Sequence, residues 1–368
     1  MHDKQFKKEM LIESAHAYNE GRMDRRTFLA LCGASGVAMN AVLAGDARAA
    51  ADHVVMWNWG GQSEECHGSA IGNAFTAKTG KGLKFDTSGP LEGKIKEMVD
   101  SGNVTADVAD ADLFNAVSLG PTGHLEPIDY SVVSKDKTLP GYALEHGVSI
   151  ILYGYAFVYD TEAFGDNPPQ NWADFFDTEK FPGTRALYKW ANGSLEAALM
   201  ADGVAGEDLY PLDMDRALNK IKTIKDDSLY WGSGSEVHSM VVNNEVSMAI
   251  VWQNRGRNIE IDTDGQYKLV NNQAMAMPGA YIVPKGNPAG AAVMDFIATA
   301  QEVPAQLELL ECLGMTPSNP EAFGQIPDHQ QAYAITSAEN IDKIVYNDPD
   351  WWGKNSGDAV NAFLEAIS

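Results

Sequence analysis

Beyond about residue 50 the apolar positions switch between two rhythms. His53 to Trp59 (HVVMWNW) is a short apolar run closed by Gly60-Gly61, the pattern of a buried strand. A helix is predicted from about Glu64 to Thr79, stopped at Gly80. Lys84 to Thr87 reads as the next strand, Glu92 to Ser101 as a polar amphipathic helix, Ala106 to Leu113 as a strand, and Asn115 to Leu119 as the start of another helix. This alternation argues a largely parallel α/β sheet. Gly147 to Tyr159 is a long β-rich run and the natural place for the chain to cross into a second lobe.

The second half repeats the grammar. A helix opens at Ala173 after Asn171-Trp172, Thr184 to Lys189 is a strand, and Ser194 to Ala201 is a helix stopped at Gly203. Asp213 to Lys225 places Leu218, Ile221 and Ile224 on one helical face. Val237 to Asn244 is predicted helical, Val246 to Trp252 (VSMAIVW) a buried strand, and Ala280 to Val283 a strand before Pro284. Ala291 to Ala300 and Pro304 to Cys312 complete the helices. No short repeat and no low-complexity segment interrupts the pattern.

The chain has 368 residues, enough for two domains at roughly 150 residues each. With 45 % hydrophobic residues it can build a real core. The formal charge of −24 makes nucleic acid and anionic lipid poor partners. Apart from Cys32, in the leader discussed next, only Cys66 and Cys312 occur. They could pair in an oxidising compartment, although spacing alone leaves this open.

The first fifty residues read as an address. Asp24-Arg25-Arg26-Thr27-Phe28-Leu29 places two arginines before a weakly apolar stretch to Ala44, and Ala47-Arg48-Ala49 offers a signal-peptidase site. The pattern looks like a twin-arginine export signal over residues 1–49, leaving 50–368 as a protein expected in the periplasm. The apolar stretch is too short and glycine-rich for a membrane span.

The sequence carries no G-x-S-x-G elbow, no Walker A loop and no H-E-x-x-H. His67, His124 and His146 are scattered and expected at the surface or in loops. No enzyme activity, metal or cofactor is therefore inferred.

Several ordered segments resemble a periplasmic solute-binding protein of an ABC importer, of the spermidine/putrescine-binding type. They are Trp57-Asn58-Trp59-Gly60, Asn171-Trp172-Ala173-Asp174-Phe175, Phe181-Pro182-Gly183-Thr184-Arg185-Ala186-Leu187, Asn244-Glu245-Val246 with Trp252, Ile282-Val283-Pro284-Lys285-Gly286, and Gly314-Met315-Thr316-Pro317-Ser318-Asn319. The resemblance implies two α/β lobes joined by a hinge and closing over one ligand. It assigns one lobe to 50–153 completed by about 280–312, and the other to 154–279 completed by about 313–368. It also implies a membrane permease as partner and a monomeric receptor without catalysis.

Candidate site residues gather at predicted strand ends, where open α/β sheets bind ligands. Trp57 and Trp59 end the first strand, Tyr155 lies at the crossing, Trp190 follows Leu187-Tyr188-Lys189, and Trp252 ends VSMAIVW. Large aromatics there form apolar walls or cation-binding faces. Polyamine binders hold each ammonium with carboxylates, and the resemblance places those at Gly61, Trp190, Gly193 and Gly279, none acidic. Arg255, just beyond Trp252, could instead clamp a carboxylate. Ser235 could donate to an anion, although Ser233 or Ser235 is equally an ordinary helix cap. Two ligand classes follow: a polyamine-type cation, or a zwitterion or carboxylate of amino-acid-like or opine-like character. An exported enzyme on the same scaffold is the alternative of another class.

Overall fold

The computed structural model describes residues 52–368, so the expected export signal lies outside the described residues. Eleven strands occur among them: β1 (His53–Trp57), β2 (Gly82–Asp86), β3 (Val108–Asp112), β4 (Ala143–Leu144), β5 (Gly147–Asp160), β6 (Arg185–Tyr188), β7 (Ser228–Trp231), β8 (Met248–Trp252), β9 (Tyr267–Ile282), β10 (Thr316–Pro317) and β11 (Val345–Tyr346). Eight of them run in the order β2-β1-β3-β9-β5-β8-β6-β7.

Two parallel groups, β2-β1-β3 and β8-β6-β7, are joined by two long antiparallel strands. β3 pairs only with the last residues of β9, Gly279–Ile282. β8 pairs only with the later part of β5, Tyr155–Tyr159. The pairing of β5 with β9 shifts register between Ser149 and Ile151 and again between Tyr155 and Phe157. Such irregularities bend a ladder, and the segment between them is where one group gives way to the other. The result is the two-lobed α/β fold of periplasmic binding proteins, with a cleft between the lobes.

Burial explains why these stretches are strands. Along β5 every residue from Gly147 to Leu152 is buried, as a strand covered on both faces must be. Separate cores form on the two groups. Ile95, Leu113, Leu119 and Ile282 pack in one, and Phe157, Trp172, Leu195 and Ile221 in the other. The C-terminal helix Pro349–Ile367 adds Trp352 and Phe363 to the second core, which also contains Phe114 of the helix Leu113–Leu119.

The structure corrects several expectations. The strand expected at Ala280–Val283 begins at Tyr267, because its polar first half (YKLVNNQ) is partly exposed and does not alternate cleanly. Ser228–Trp231 is a strand although it precedes the glycine- and serine-rich stretch. The helix expected from Val237 begins at Gly234, and the amphipathic helix expected to Lys225 closes at Lys222. His67, expected at the surface, is buried on the helix Gln62–His67, and burial lowers its pKa to about 4.

Cys66 and Cys312 form a disulfide across 246 residues of sequence. It ties the helix Gln62–His67 to the helix Val303–Leu313, and the Gln62 side-chain amide donates to the Cys312 carbonyl at 2.8 Å beside it.

Candidate ligand cleft

Trp57, Asp112, Tyr188, Trp231 and Trp252 are the last residues of β1, β3, β6, β7 and β8. Parallel strands aim their carboxyl ends the same way, so each lobe presents its polar and aromatic groups at one edge.

An aromatic row runs along this edge. The Tyr153 and Tyr155 ring centroids lie 6.0 Å apart, and Tyr155 is 6.2 Å from Tyr188. Tyr188 stacks on Trp231 at 4.3 Å and meets Trp252 edge-on at 5.4 Å. Trp231 and Trp252 are perpendicular at 5.2 Å. Stacked and edge-to-face pairs of this kind hold one another in fixed rotamers. Trp231 is anchored further by its indole N–H, which donates to the Ile250 carbonyl.

A cationic end adjoins the row. Trp252 is the N-cap of the helix Gln253–Asp262, so Arg255 stands in that helix's first turn. The Arg255 backbone N–H is taken by the Asn254 side chain, while its half-buried guanidinium has no ion pair among the described residues. Gly234 packs directly against Trp252 and Arg255: a Cβ there would lie 2.9 Å from the Trp252 ring and 3.2 Å from Arg255 Nε. Ser233 caps the helix Gly234–Val242 by accepting from the Glu236 N–H, and its hydroxyl lies 3.1 Å from that of Ser235. Gly234 thus brings the start of its helix, with Ser233 and Ser235, against Trp252 and Arg255.

An acidic end lies on the other lobe. The Tyr153 hydroxyl donates to Asp112 Oδ1 at 2.8 Å, and Asp112 also caps the helix Leu113–Leu119. Burial raises the Asp112 pKa to about 6, against the lowering effect of the Tyr153 bond, with nearby Asp110 raising it further. Asp110, two residues earlier on the same face of β3, is only 7 % exposed. Burial lifts its pKa to about 7. The expectation that the cleft lacks acids came from positions matched by resemblance, and β3 was not among them. Asp110 and Asp112 were visible only as the acidic alternation in Ala109-Asp110-Ala111-Asp112, which sequence alone reads as a solvated strand face.

The remaining expected residues divide. Tyr155 is buried inside the row, with Gly193 against its ring. Gly193 has φ +84, and a Cβ there would sit 2.6 Å from the Tyr155 ring, so no acid fits. Trp59 and Trp190 are exposed, at 57 % and 41 %, and Trp59 donates its indole N–H to the Asp110 carbonyl at 3.1 Å. Trp57 is packed in the core of its lobe and donates to Ser88 Oγ at 2.9 Å, apart from the row. Tyr188 and Trp231 were missed. Nearby Glu196 is buried but satisfied: it accepts from the Gly193 N–H, the Tyr210 hydroxyl and the Trp352 indole. Two surface depressions lie elsewhere, beside the helix Met214–Lys222. They are shallow and open, and the larger has no aromatic wall.

A two-lobed α/β fold with aromatic side chains at its strand ends is the architecture of a solute receptor. The model of the family described as bacterial extracellular solute-binding protein matches residues 70–335, and the chain belongs to that family. It is 29 % identical over 268 residues to the gamma-aminobutyric acid-binding protein of Pseudomonas aeruginosa, covering 70 % of this chain and 75 % of that protein. Among solved structures it resembles a GABA receptor with a TM-score of 0.79 and 30 % identity, covering 86 % of this chain and 98 % of that one. It also resembles the binding protein MotA of A. tumefaciens B6 in complex with glucopine, with a TM-score of 0.76 and 26 % identity over 86 % of this chain and all of that one. These relatives are binding proteins. The chain is a solute-binding component of an ABC importer, in a family described as extracellular.

Proposed function

We propose that the protein captures a small zwitterion or carboxylate of the amino-acid-like or opine-like class and delivers it to a membrane permease. The observation that carries this reading is the Arg255 guanidinium, without an ion pair among the described residues and half-buried against Trp252 beside Ser233 and Ser235. A guanidinium offers paired N–H donors matched to a carboxylate. In such a cleft the aromatic row supplies apolar contact and the few polar groups fix orientation. Closure of the lobes about β5 and β9 would bury the ligand and present one surface to the permease. The names of the similar proteins, which include GABA and an opine, support the same class.

Export by the twin-arginine signal in residues 1–49, the lobe boundaries near 153, 279 and 312, and action as a monomer belong to this proposal. A polyamine is the second reading, favoured by the buried Asp110 and the half-buried Asp112 on β3.

Thermal shift of the purified protein tests the choice. Carboxylate-bearing probes (4-aminobutyrate, opine acids) are expected to raise Tm by mass action, and Arg255→Gln is expected to remove the shift. A shift with putrescine or spermidine alone, unaffected by Arg255→Gln, would overturn the carboxylate reading.

A further inference from the structure

The buried carboxylate of Glu196 divides its two oxygens between two parts of the chain. Oε1 accepts from the Tyr210 hydroxyl at 2.6 Å, the Trp352 indole at 2.8 Å and the Asn347 side-chain amide at 3.3 Å. Among the described residues Oε2 accepts only from the Gly193 backbone N–H, at 2.9 Å. All of these partners are neutral donors. A carboxylate buried without a cation is costly, and donors offset the cost only where the fold holds them in place.

The Oε1 donors belong to the crossing between the lobes. Asn347 directly follows β11, which pairs with β9 at Met275 and Ala276, and its backbone N–H donates to the Ala276 carbonyl at 3.0 Å. Its own carbonyl accepts from the Tyr142 hydroxyl at 3.1 Å, just before β4. Ala276 lies opposite Gly154 on β5, next to Tyr155 and between the two register shifts. Trp352 stands on the helix Pro349–Ile367, and its neighbour Gly353 packs on the helix Leu113–Leu119, where a Cβ would lie 2.4 Å from Val117 Cβ.

The Oε2 partner belongs to the aromatic row. Gly193 has φ +84, and its bare Cα backs the Tyr155 ring so closely that a Cβ would sit 2.6 Å from it. Tyr155 in turn links Tyr153 to Tyr188, and Tyr188 leads to Trp231 and Trp252. The helix Ser194–Ala201 has its own anchors, because Leu195, Ala197, Ala198 and Leu199 are buried in the core of that lobe. Glu196 is not needed to bury this helix, and its bond to Gly193 falls on the one turn that touches Tyr155.

We propose that Glu196 is a positioning residue for the ligand wall: Oε2 clamps the Gly193 N–H and seats that backbone behind Tyr155, while Oε1 ties the turn to Asn347 and Trp352 at the lobe crossing. The placement of the Tyr155 ring then passes by stacking to Tyr188, Trp231 and Trp252. This inference rests on the aromatic row as the wall of the cleft, and not on the carboxylate contact of Arg255.

Glu196→Gln separates the two oxygens. The glutamine turns its carbonyl oxygen to the cluster of donors, and its NH2 then meets the Gly193 N–H, donor against donor. Calorimetric titration with 4-aminobutyrate and butyrate is expected to show affinity weakened by about fivefold or more, the worth of one hydrogen bond. Ile221→Val trims the core of the same lobe and controls for lost stability. It is expected to melt earlier and to bind within about twofold of wild type. The indole N–H signals in the proton–nitrogen spectrum of the unliganded protein give a readout that needs no ligand. Those of Trp231 and Trp252 are expected to shift in Glu196→Gln and to hold in Ile221→Val.

A less stable Glu196→Gln whose Trp231 and Trp252 signals stay in place would overturn the positioning role, whether or not either probe binds. Loss of binding in Arg255→Gln with none in Glu196→Gln would overturn it too and leave the carboxylate reading standing. Loss in Glu196→Gln with none in Arg255→Gln would overturn the carboxylate reading alone. Hydrogen exchange on the wild type decides the case in which the variant does not fold. The clamp requires a protected Gly193 amide, and exchange as fast as that of an exposed glycine overturns it.

Discussion

The Tyr153 hydroxyl donates to Asp112 Oδ1 at 2.8 Å and so joins the long strand β5 to the end of β3 at the edge of the cleft. Tyr153 is held by the neighbouring Tyr155 ring, and burial raises its pKa well above the ordinary tyrosine value, so it stays a donor. Tyr153→Phe leaves Asp112 buried with its cap alone. A loss of about 1–3 kcal/mol is expected at neutral pH, because a buried acceptor loses its partner. Urea unfolding measures it, and an unchanged midpoint would show that this bond carries no stability.

The buried acids predict an inverted pH dependence. Their ordinary pKa is 3.8, and burial raises Asp110 to about 7 and Asp112 to about 6. The folded state therefore favours the protonated acids. Their contribution is fully present below about pH 4 and is lost as pH rises through 6 and 7. For Asp110 this amounts to on the order of 4 kcal/mol. His67 runs the opposite way: its depressed pKa costs stability as pH falls below 6.5 toward 4. Comparing wild type with Asp110→Asn isolates the acid. The variant is expected to be more stable at pH 8 and to lose the part of the decline up to pH 7 that Asp110 contributes, leaving that of Asp112. Parallel curves for the two proteins would show that Asp110 does not titrate in this range. Tyr153, Tyr155 and Tyr188 face Asp112, and Tyr281 faces Asp110.

Gly234 separates binding from stability. It opens the helix Gly234–Val242, where alanine is favoured over glycine by up to about 1 kcal/mol. A Cβ would nevertheless press on the Trp252 ring and on Arg255. Gly234→Ala is expected to melt no earlier than wild type while losing about tenfold in ligand affinity, as displaced anchor groups do. Titration and melting of the same preparation check both halves. Unchanged affinity would place Arg255 outside the ligand's reach.

The disulfide closes a loop of 246 residues. Cross-links of long loops restrict the unfolded chain and contribute on the order of 2–5 kcal/mol. The paired substitution Cys66→Ser with Cys312→Ser, or reduction by a thiol, is expected to lower the unfolding midpoint by that amount. The disulfide joins the helices Gln62–His67 and Val303–Leu313, neither of which contributes to the aromatic row, so ligand affinity should hold in the same experiment.

Much of the fold was legible in the sequence because its signals are local. β1, β3 and β5 are apolar runs, and the helix Ser194–Ala201 is bounded by turn residues. Polar or short elements were lost: the first half of β9, the four-residue β7 and the first turn of the helix Gln253–Asp262 owe their form to neighbouring strands and to the Trp252 cap. At the site, Arg255 and Trp252 were found because one lies three residues beyond the other at a strand end. Tyr188 was passed over because a tyrosine in a strand is ordinary, and its importance comes from Trp231, 43 residues later in sequence, stacking upon it.

The sequence by itself determined the alternation of strands and helices, the aromatic strand ends and the ordered segments of a solute-binding family, since hydrophobic period and residue type are local properties. Only the tertiary structure decided that Cys66 meets Cys312, that Gly193 yields its space to Tyr155, and that Asp110 is buried while Asp112 meets Tyr153. Burial and charge pairing depend on which strands become neighbours, and that is settled by packing between segments far apart in the chain.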